Sequence, residues 1–361
     1  MPDKGEMERH RSPLQAEPAA PGETAHADGR LPAGRATIAM VAARAGVSRA
    51  TVSRVMNGQT SVGPELAARV RSAARALGYE PSAVAQSLAR GRTGLVGFVV
   101  PDLANPMFQA VLRGVSDGAG TSAHRVLVAD SHEIRDEEPI LAREVRRRCD
   151  ALVMCSPRMP DELLAELLPS LQPFVLVNRR VEGLAAPTVS IDHASGMRAI
   201  AQHLTTLGHQ RVAYLAGPPT SAANLERLEA LRGAAEARFS LAEIEAGAMF
   251  SDGFDTADRA LALGVTAIIC YNDLVAYGAL ARLHELGMPV PGSVSVTGFD
   301  DIPFARYATP SLTTVTVPQD DLGREAWERT AALLAGQQPP ADLLFTPRLV
   351  VRASSGRPPA A

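Results

Sequence analysis

The stretch AGVSRATVSRVMNG (45–58) constrains this chain more than any other. Gly46 permits a sharp turn. Ser48 can cap the helix that follows, and Val52, Val55 and Met56 form one apolar face of it. Asn57-Gly58 ends that helix. Upstream, Ile38, Val41, Ala42 and Ala45 recur at helical spacing. Downstream, Pro64 suits the first turn of a third helix, with Leu66, Val70, Ala73 and Leu77 as its buried stripe and Gly78 as its stop. Three short helices with a glycine turn between the first two make a helix-turn-helix pattern.

Charge sharpens that pattern. Residues 36–93 hold eight arginines (44, 49, 54, 69, 71, 75, 90, 92) against Glu65 and Glu80, so +6. The whole chain carries −3, which leaves −9 elsewhere. A compact basic module on an acidic body is the footprint of a modular nucleic-acid binder, the alternative being charges that merely solvate helix faces. At 361 residues the chain has room for two or three domains.

Several classes drop out. Lys4 is the only lysine, and it stands in a polar tail. A Walker-type phosphate loop or a Schiff-base enzyme needs a lysine in a folded region. Gly91, Gly94 and Gly97 are therefore expected to loosen a linker before a strand. Cys149, Cys155 and Cys270 lack metal-ligand spacing, and Cys155 and Cys270 sit in apolar runs as small core residues. No run of 18 apolar residues could span a membrane, and no apolar segment follows the N-terminal charges. The expected location is cytoplasmic.

Residues 1–35 are poor in large apolar side chains and are expected to be a disordered tail. Residues 36–81 are the headpiece. Residues 82–93 form a linker in which Ser82 can cap a short, marginal helix. From Gly94 the period changes. Apolar runs at 95–100, 126–129, 151–155, 174–177, 189–191, 212–216, 267–270 and 294–296 read as strands. Helical stretches separate most of them, at 107–118, 140–148, 194–207 and 274–286. Strand and helix in alternation mean α/β architecture with parallel sheets. Ligands in such folds bind beyond the carboxyl ends of strands, where Asp102–Asn105, Asn178-Arg179, Asn272-Asp273 and Asp300-Asp301 stand.

These motifs resemble the LacI/GalR family of bacterial transcriptional regulators, from about Thr37 to about Ser355. The resemblance rests on AGVSRATVSRVMNG, PDLANPMF (101–108), HLTTLGHQRVAYLAGPP (203–219), YNDLVAYGAL (271–280), VTGFDDIPFA (296–305) and TPSLTTV (309–315), in that order. It implies a helix-turn-helix headpiece and a periplasmic-binding-protein-like effector and dimerisation domain over 94–355. The expected lobes are about 94–190 with 318–345 and about 191–317 with 346–355, followed by a tail at 356–361. It also implies a homodimer reading a pseudo-palindrome in double-stranded operator DNA under small-molecule control. The function expected is that of a transcriptional regulator, usually a repressor.

The resemblance turns Arg49, Ala50 and Arg54 toward base edges, where arginine can bond guanine bidentately. The alternative for either arginine is a phosphate contact. Thr51 and Ser53 are expected on phosphates, and Ser48 and Asn57 complete the DNA-binding helix. In the hinge, Val84 and Ala85 would pack against the partner chain. Leu88 would wedge into the minor groove at a central CG step. Gln86 stands where many members carry arginine. The expected effector-binding positions are Asp102, Asn105, Phe108, Asn178, Arg179, Leu225, Asn272 and Asp300. Asp301 and Asp273 are expected to cap helices. Two departures predict a more apolar cleft: Leu225 where many members have arginine, with Glu226 and Arg227 at the wrong angle, and Val317 where glutamine is frequent.

A solute-binding protein of transport with the same two-lobed fold is the competing reading, and the basic headpiece argues against it. An enzyme would need Cys155 or a histidine as nucleophile or base, and no histidine stands in a triad-like or metal-like motif. His203 and His209 flank a helix end, where they cap or solvate it. No catalytic residue, metal or cofactor is expected. The C-terminus lacks a heptad tail, which favours a dimer over a tetramer.

Overall fold

The computed structural model describes residues 36–58, 61–80, 91–236 and 238–360. The 1–35 tail and the hinge positions Val84, Ala85, Gln86 and Leu88 lie outside the described residues. The chain divides into two compact units.

The first unit holds α1 (Ile38–Ala45), α2 (Arg49–Met56) and α3 (Pro64–Ala76). Gly46 ends α1 at φ 65°, a conformation that a side chain would strain. Ser48 Oγ accepts from the Thr51 amide at 3.1 Å and caps α2. Val41, Val52, Val55 and Val70 meet in a small apolar core with Ala67 and Ala74. Leu66 and Leu77 are only half-buried, because the tightest contacts of α3 fall on alanines.

The second unit is built on two parallel sheets. The first contains β1 (Leu95–Val100), β2 (Arg125–Asp130), β3 (Ala151–Cys155), β4 (Phe174–Val177), β5 (Thr188–Ile191) and β11 (Leu343–Phe345). Its order is β11-β5-β4-β3-β1-β2. The second contains β6 (Arg211–Ala216), β7 (Ser240–Glu245), β8 (Ala267–Cys270) and β9 (Ser295–Thr297), in the order β7-β6-β8-β9. The antiparallel pair β10 (Thr314–Thr316) and β12 (Arg348–Val350) lies in the crossover segments. The chain passes between the lobes after β5, after β10 and after β11, so each lobe is assembled from separated stretches.

Helices cover both sheets: α4 (Pro106–Thr121), α5 (Glu138–Arg148), α6 (Asp161–Leu171), α7 (His193–Leu207), α8 (Ala222–Ala235), α9 (Phe250–Ala262), α10 (Asp273–Glu285) and α11 (Gln319–Leu334). Backbone touches backbone between α4 and α11. A Cβ on Gly114 would stand 2.4 Å from the Asp320 carbonyl, and one on Gly323 2.2 Å from that of Val111. Gly97 corrects the linker expectation. It lies inside β1, and a Cβ there would meet Val145 of α5 at 2.2 Å.

The C-terminal residues also depart from a free tail. The Gly356 amide donates to Ser295 Oγ at 3.0 Å, and its carbonyl lies 2.9 Å from His209 Nε2. His203 reaches Ser355 Oγ at 2.9 Å. Both histidines tie down the last residues instead of capping α7, whose end is closed by Gly208 at φ 97°. All three cysteines are buried and free.

Candidate functional site

The exposed side of α2 carries Arg49, Ala50 and Arg54, while Val52 and Val55 face the core. Arg49 makes no hydrogen bond or ion pair among the described residues. Arg54 Nε makes a long contact, 3.4 Å, to the Ala50 carbonyl one turn back. The Thr51 hydroxyl lies 3.0 Å from that of Ser48. Asn57 Nδ2 donates to Ser53 Oγ at 3.3 Å, and Asn57 Oδ1 has no partner among the described residues. Two cations flank one open helix face whose opposite side is held by core packing.

The second unit joins its lobes through one buried polar chain. Arg227 on α8 presents Nε and Nη2 to His193 Nδ1 at 3.4 and 3.3 Å. A guanidinium can only donate, so Nδ1 must accept and the ring proton must sit on Nε2. That proton is directed at Asn178 Oδ1, 2.9 Å away. Asn178 Nδ2 in turn donates to Ser156 Oγ at 2.8 Å. On the other side Arg227 Nη1 donates to the Tyr271 carbonyl at 2.5 Å, and Nη2 lies 3.5 Å from Asp300 Oδ1. The guanidinium also sits 3.6 Å from the centre of the Phe299 ring and 4.9 Å from that of Tyr271.

The electrostatics follow from this packing. Burial pushes the Asp300 carboxyl up to about 6, with Arg227 pulling the other way. Burial and the adjacent Arg227 hold His193 well below the usual imidazole range. Burial and the neighbouring Asp300 push Asp273 well above the usual carboxylate range. Ser156, Asn178 and Asp300 all take positive φ, at 50°, 56° and 106°. All three follow the carboxyl ends of strands, where ligands of parallel sheets bind and where strained backbone collects.

Residues 37–82 match the bacterial regulatory proteins of the lacI family, and residues 201–355 match the periplasmic binding protein-like domain. The chain is 37% identical over 326 residues to the HTH-type transcriptional regulator GalS of Salmonella typhimurium, covering 88% of this chain and 96% of that one. The chain belongs to the lacI family of bacterial regulatory proteins. It is also 34% identical over 333 residues to the HTH-type transcriptional regulator GalR of Escherichia coli, covering 90% and 96% of the two chains. Among solved structures, the lac repressor dimer bound to operator and the anti-inducer ONPF superposes with a TM-score of 0.78 at 26% identity, over 89% of this chain and 99% of that one. The complex of the transcriptional regulator CelR with cellobiose gives a TM-score of 0.64 at 30% identity, over 89% and 100%.

Within this lacI-family fold the expected effector positions separate into groups. Asn178 and Asp300 belong to the buried chain. Asn272 caps α10 by accepting from the Val275 amide, and donates to the Ala248 carbonyl at 2.9 Å. Asn105 caps α4 in the same way through the Met107 amide. Asp102 accepts from the Ala104 amide at 2.7 Å, and burial raises its pKa. Phe108 and Val317 are part of the apolar core. Arg179 donates to the Pro157 carbonyl and to Asp161, and its Nε is buried without a partner among the described residues.

The expectation of a cleft without its arginine is overturned. Asn224, Arg227 and Leu231 fall on one face of α8 at spacings of three and four, and all are buried. Leu225, two residues before Arg227, is 55% exposed and lines the neighbouring cavity beside Arg179 and Arg180. The inward cation is therefore Arg227, and the site is strongly polar. Asp273 and Asp301 are not caps either. Asp273 accepts from the Ile302 amide and from Thr314 Oγ1, while Asp301 pairs with Arg352 at 2.7 Å. His193, Ser156 and Gln319, which donates to the Asp300 carbonyl at 2.6 Å, were outside the expected set. An Asp-His pair opening a helix, directly after a strand end, was the available signal for His193.

Proposed function

We propose that this chain is a sequence-specific transcriptional repressor whose operator affinity is set by a small-molecule effector, a sugar or related metabolite, held between the lobes. The observation that carries the reading is the pairing of two parts in one chain. One is a basic helix-turn-helix with a capped, open α2. The other is a two-lobed body whose lobes meet through Ser156, Asn178, His193, Arg227 and Asp300. Arg49, Ala50 and Arg54 read base edges. Ser48, Thr51, Ser53 and Asn57 hold the helix against phosphates.

Two copies present two headpieces to a pseudo-palindrome, as closed twofold symmetry requires. In the sequence Val84, Ala85 and Leu88 fall between the headpiece and the body, where an ordered hinge would transmit the state of the cleft. An effector with hydroxyls exchanges bonds with Arg227, Asp300 and Asn178 and so changes which lobe arrangement is stable. The coupling between such sites is about 1–3 kcal/mol, or roughly 5–150-fold in affinity. Regulation of transcription places its action in the cytoplasm.

The test is selection of random duplex DNA by the full chain at fixed salt, followed by sequencing. The reading expects enrichment of a palindrome, and its loss in an Arg49→Ala/Arg54→Ala variant. Retention of DNA with no enriched sequence contradicts it.

A further inference from the structure

A second cationic site lies where the lobes meet. A cavity of about 340 Å³ runs between the ends of β3 and β4 on one lobe and the start of α8 on the other. Arg135, Arg158, Arg179 and Arg180 line one side, and Thr220, Ala222 and Leu225 line the other. Asp161 and Glu162 line it too, and further carboxylates stand close by. Glu133 is taken by Arg158 through two bonds of 2.6 and 2.7 Å. Glu138 is taken by the amides of Arg158 and Met159. Asp161 is taken by Arg179. Glu162 stands on the exposed rim. Glu226 on α8 feels Arg180 and Arg227, yet burial raises its pKa.

Three donor groups remain uncommitted. Arg135 and Arg180 make no ion pair or hydrogen bond among the described residues. Arg179 is buried, with 6% of its surface exposed, and its Nε has no partner among the described residues. A buried N–H donor without an acceptor is unfavourable and rare in folded proteins. Across the gap, α8 directs its N-terminal end at the same space, and that end favours negative charge. Two positive walls on different lobes face one cavity.

We propose that this cavity takes the anionic group of the effector, a phosphate or a carboxylate. An anion here meets Arg180 and Arg135 on one lobe, with the unpartnered Nε of Arg179 buried behind them, and the positive end of α8 on the other. It therefore draws the lobes together more strongly than a neutral ligand does at this position. The inference rests on the effector-controlled reading above and narrows the effector to a charged metabolite.

The experiment is thermal unfolding of the full chain in inorganic phosphate against sodium chloride at equal ionic strength. Saturating phosphate should raise the midpoint by roughly 2 °C or more. An Arg135→Ala/Arg180→Ala variant changes only exposed side chains, so its midpoint in chloride should match that of the wild type while the phosphate shift disappears. No shift in the wild type overturns the proposal. So does an equal shift in the variant, which would place the ion on the headpiece or elsewhere. Titrations with glucose, glucose 6-phosphate and gluconate separate the two anion chemistries, and a tighter fit for glucose than for both anions also overturns it. Operator selection is measured independently. A chain that selects a palindrome but ignores phosphate loses this inference alone; one that binds phosphate but selects no DNA loses the repressor reading.

Discussion

Arg227 fixes the tautomer of His193. The guanidinium approaches Nδ1 at 3.3–3.4 Å and can only donate, so the imidazole must give its single proton to Asn178. One side chain of α8 thereby orients an asparagine on the other lobe. The contact is short-range, directional and buried, as a coupling between two lobes requires.

The proton count at His193 gives the first prediction. The unfolded chain takes up a proton near pH 6.5 that the folded protein refuses. Stability from this group is therefore complete above that pH and lost as pH falls below it. Asp300 acts in the opposite sense. Its folded pKa is raised to about 6 from 3.8, so it strengthens the fold as pH drops through that interval. Comparing His193→Gln with the wild type isolates the histidine. In urea unfolding from pH 7.5 to 5, the stability gap should shrink below pH 6.5 by up to about 1.4 kcal/mol per unit. A gap that stays constant with pH contradicts the assignment.

Arg227→Ala should destabilise the second unit by about 3 kcal/mol, because it strands Asp300 and His193 in a buried site. With its cation gone, Asp300 titrates higher still, so the variant should recover stability between pH 7 and 5. Arg227→Lys should rescue little. It keeps the charge but loses the planar fork that spans His193, Tyr271 and two aromatic rings. Denaturant midpoints of the three proteins at both pH values decide this.

The headpiece gives a prediction about reading rather than stability. Ser48→Ala removes the cap on the Thr51 amide and should cost the headpiece about 1 kcal/mol. Arg49→Ala should instead leave stability unchanged. Across a panel of single-base operator variants it should flatten the preference at one position by about 1–3 kcal/mol. A uniform loss at every position would move Arg49 to a phosphate.

Packing of α4 on α11 has no tolerance for a methyl group at Gly114 or Gly323, where the neighbouring atoms are backbone carbonyls. Alanine at either should destabilise the second unit by about 1–3 kcal/mol, by forcing the helices apart. Headpiece unfolding, followed separately by hydrogen exchange of the Val41 and Val70 amides, should not change.

Sequence patterning located the buried elements closely and the exposed ones poorly. The apolar runs 95–100, 151–155, 174–177 and 267–270 coincide with β1, β3, β4 and β8 because these central strands are buried on both faces. β7 was not foreseen. Its sequence SLAEIE alternates as an edge strand does and lies beside a helical stretch of similar composition. β10 and β12 are three residues each and exist by pairing across a crossover, which no local pattern encodes. For the site, the strand-end rule found Asn178 and Asp300. It missed His193, which opens a helix, and Arg227, whose direction depends on the phase of α8. The buried cation of α8 is Arg227, while Leu225, two residues earlier, lines the cavity beside it.

The most direct test of the account is operator affinity measured by fluorescence anisotropy, at fixed salt, for the wild type and Arg227→Ala across a panel of sugars, sugar phosphates and sugar acids. At least one metabolite should change wild-type affinity roughly fivefold or more. The same metabolite should leave the operator affinity of folded Arg227→Ala unchanged. An operator affinity that no metabolite alters, or a variant that responds as the wild type does, would contradict a switch controlled from this cleft.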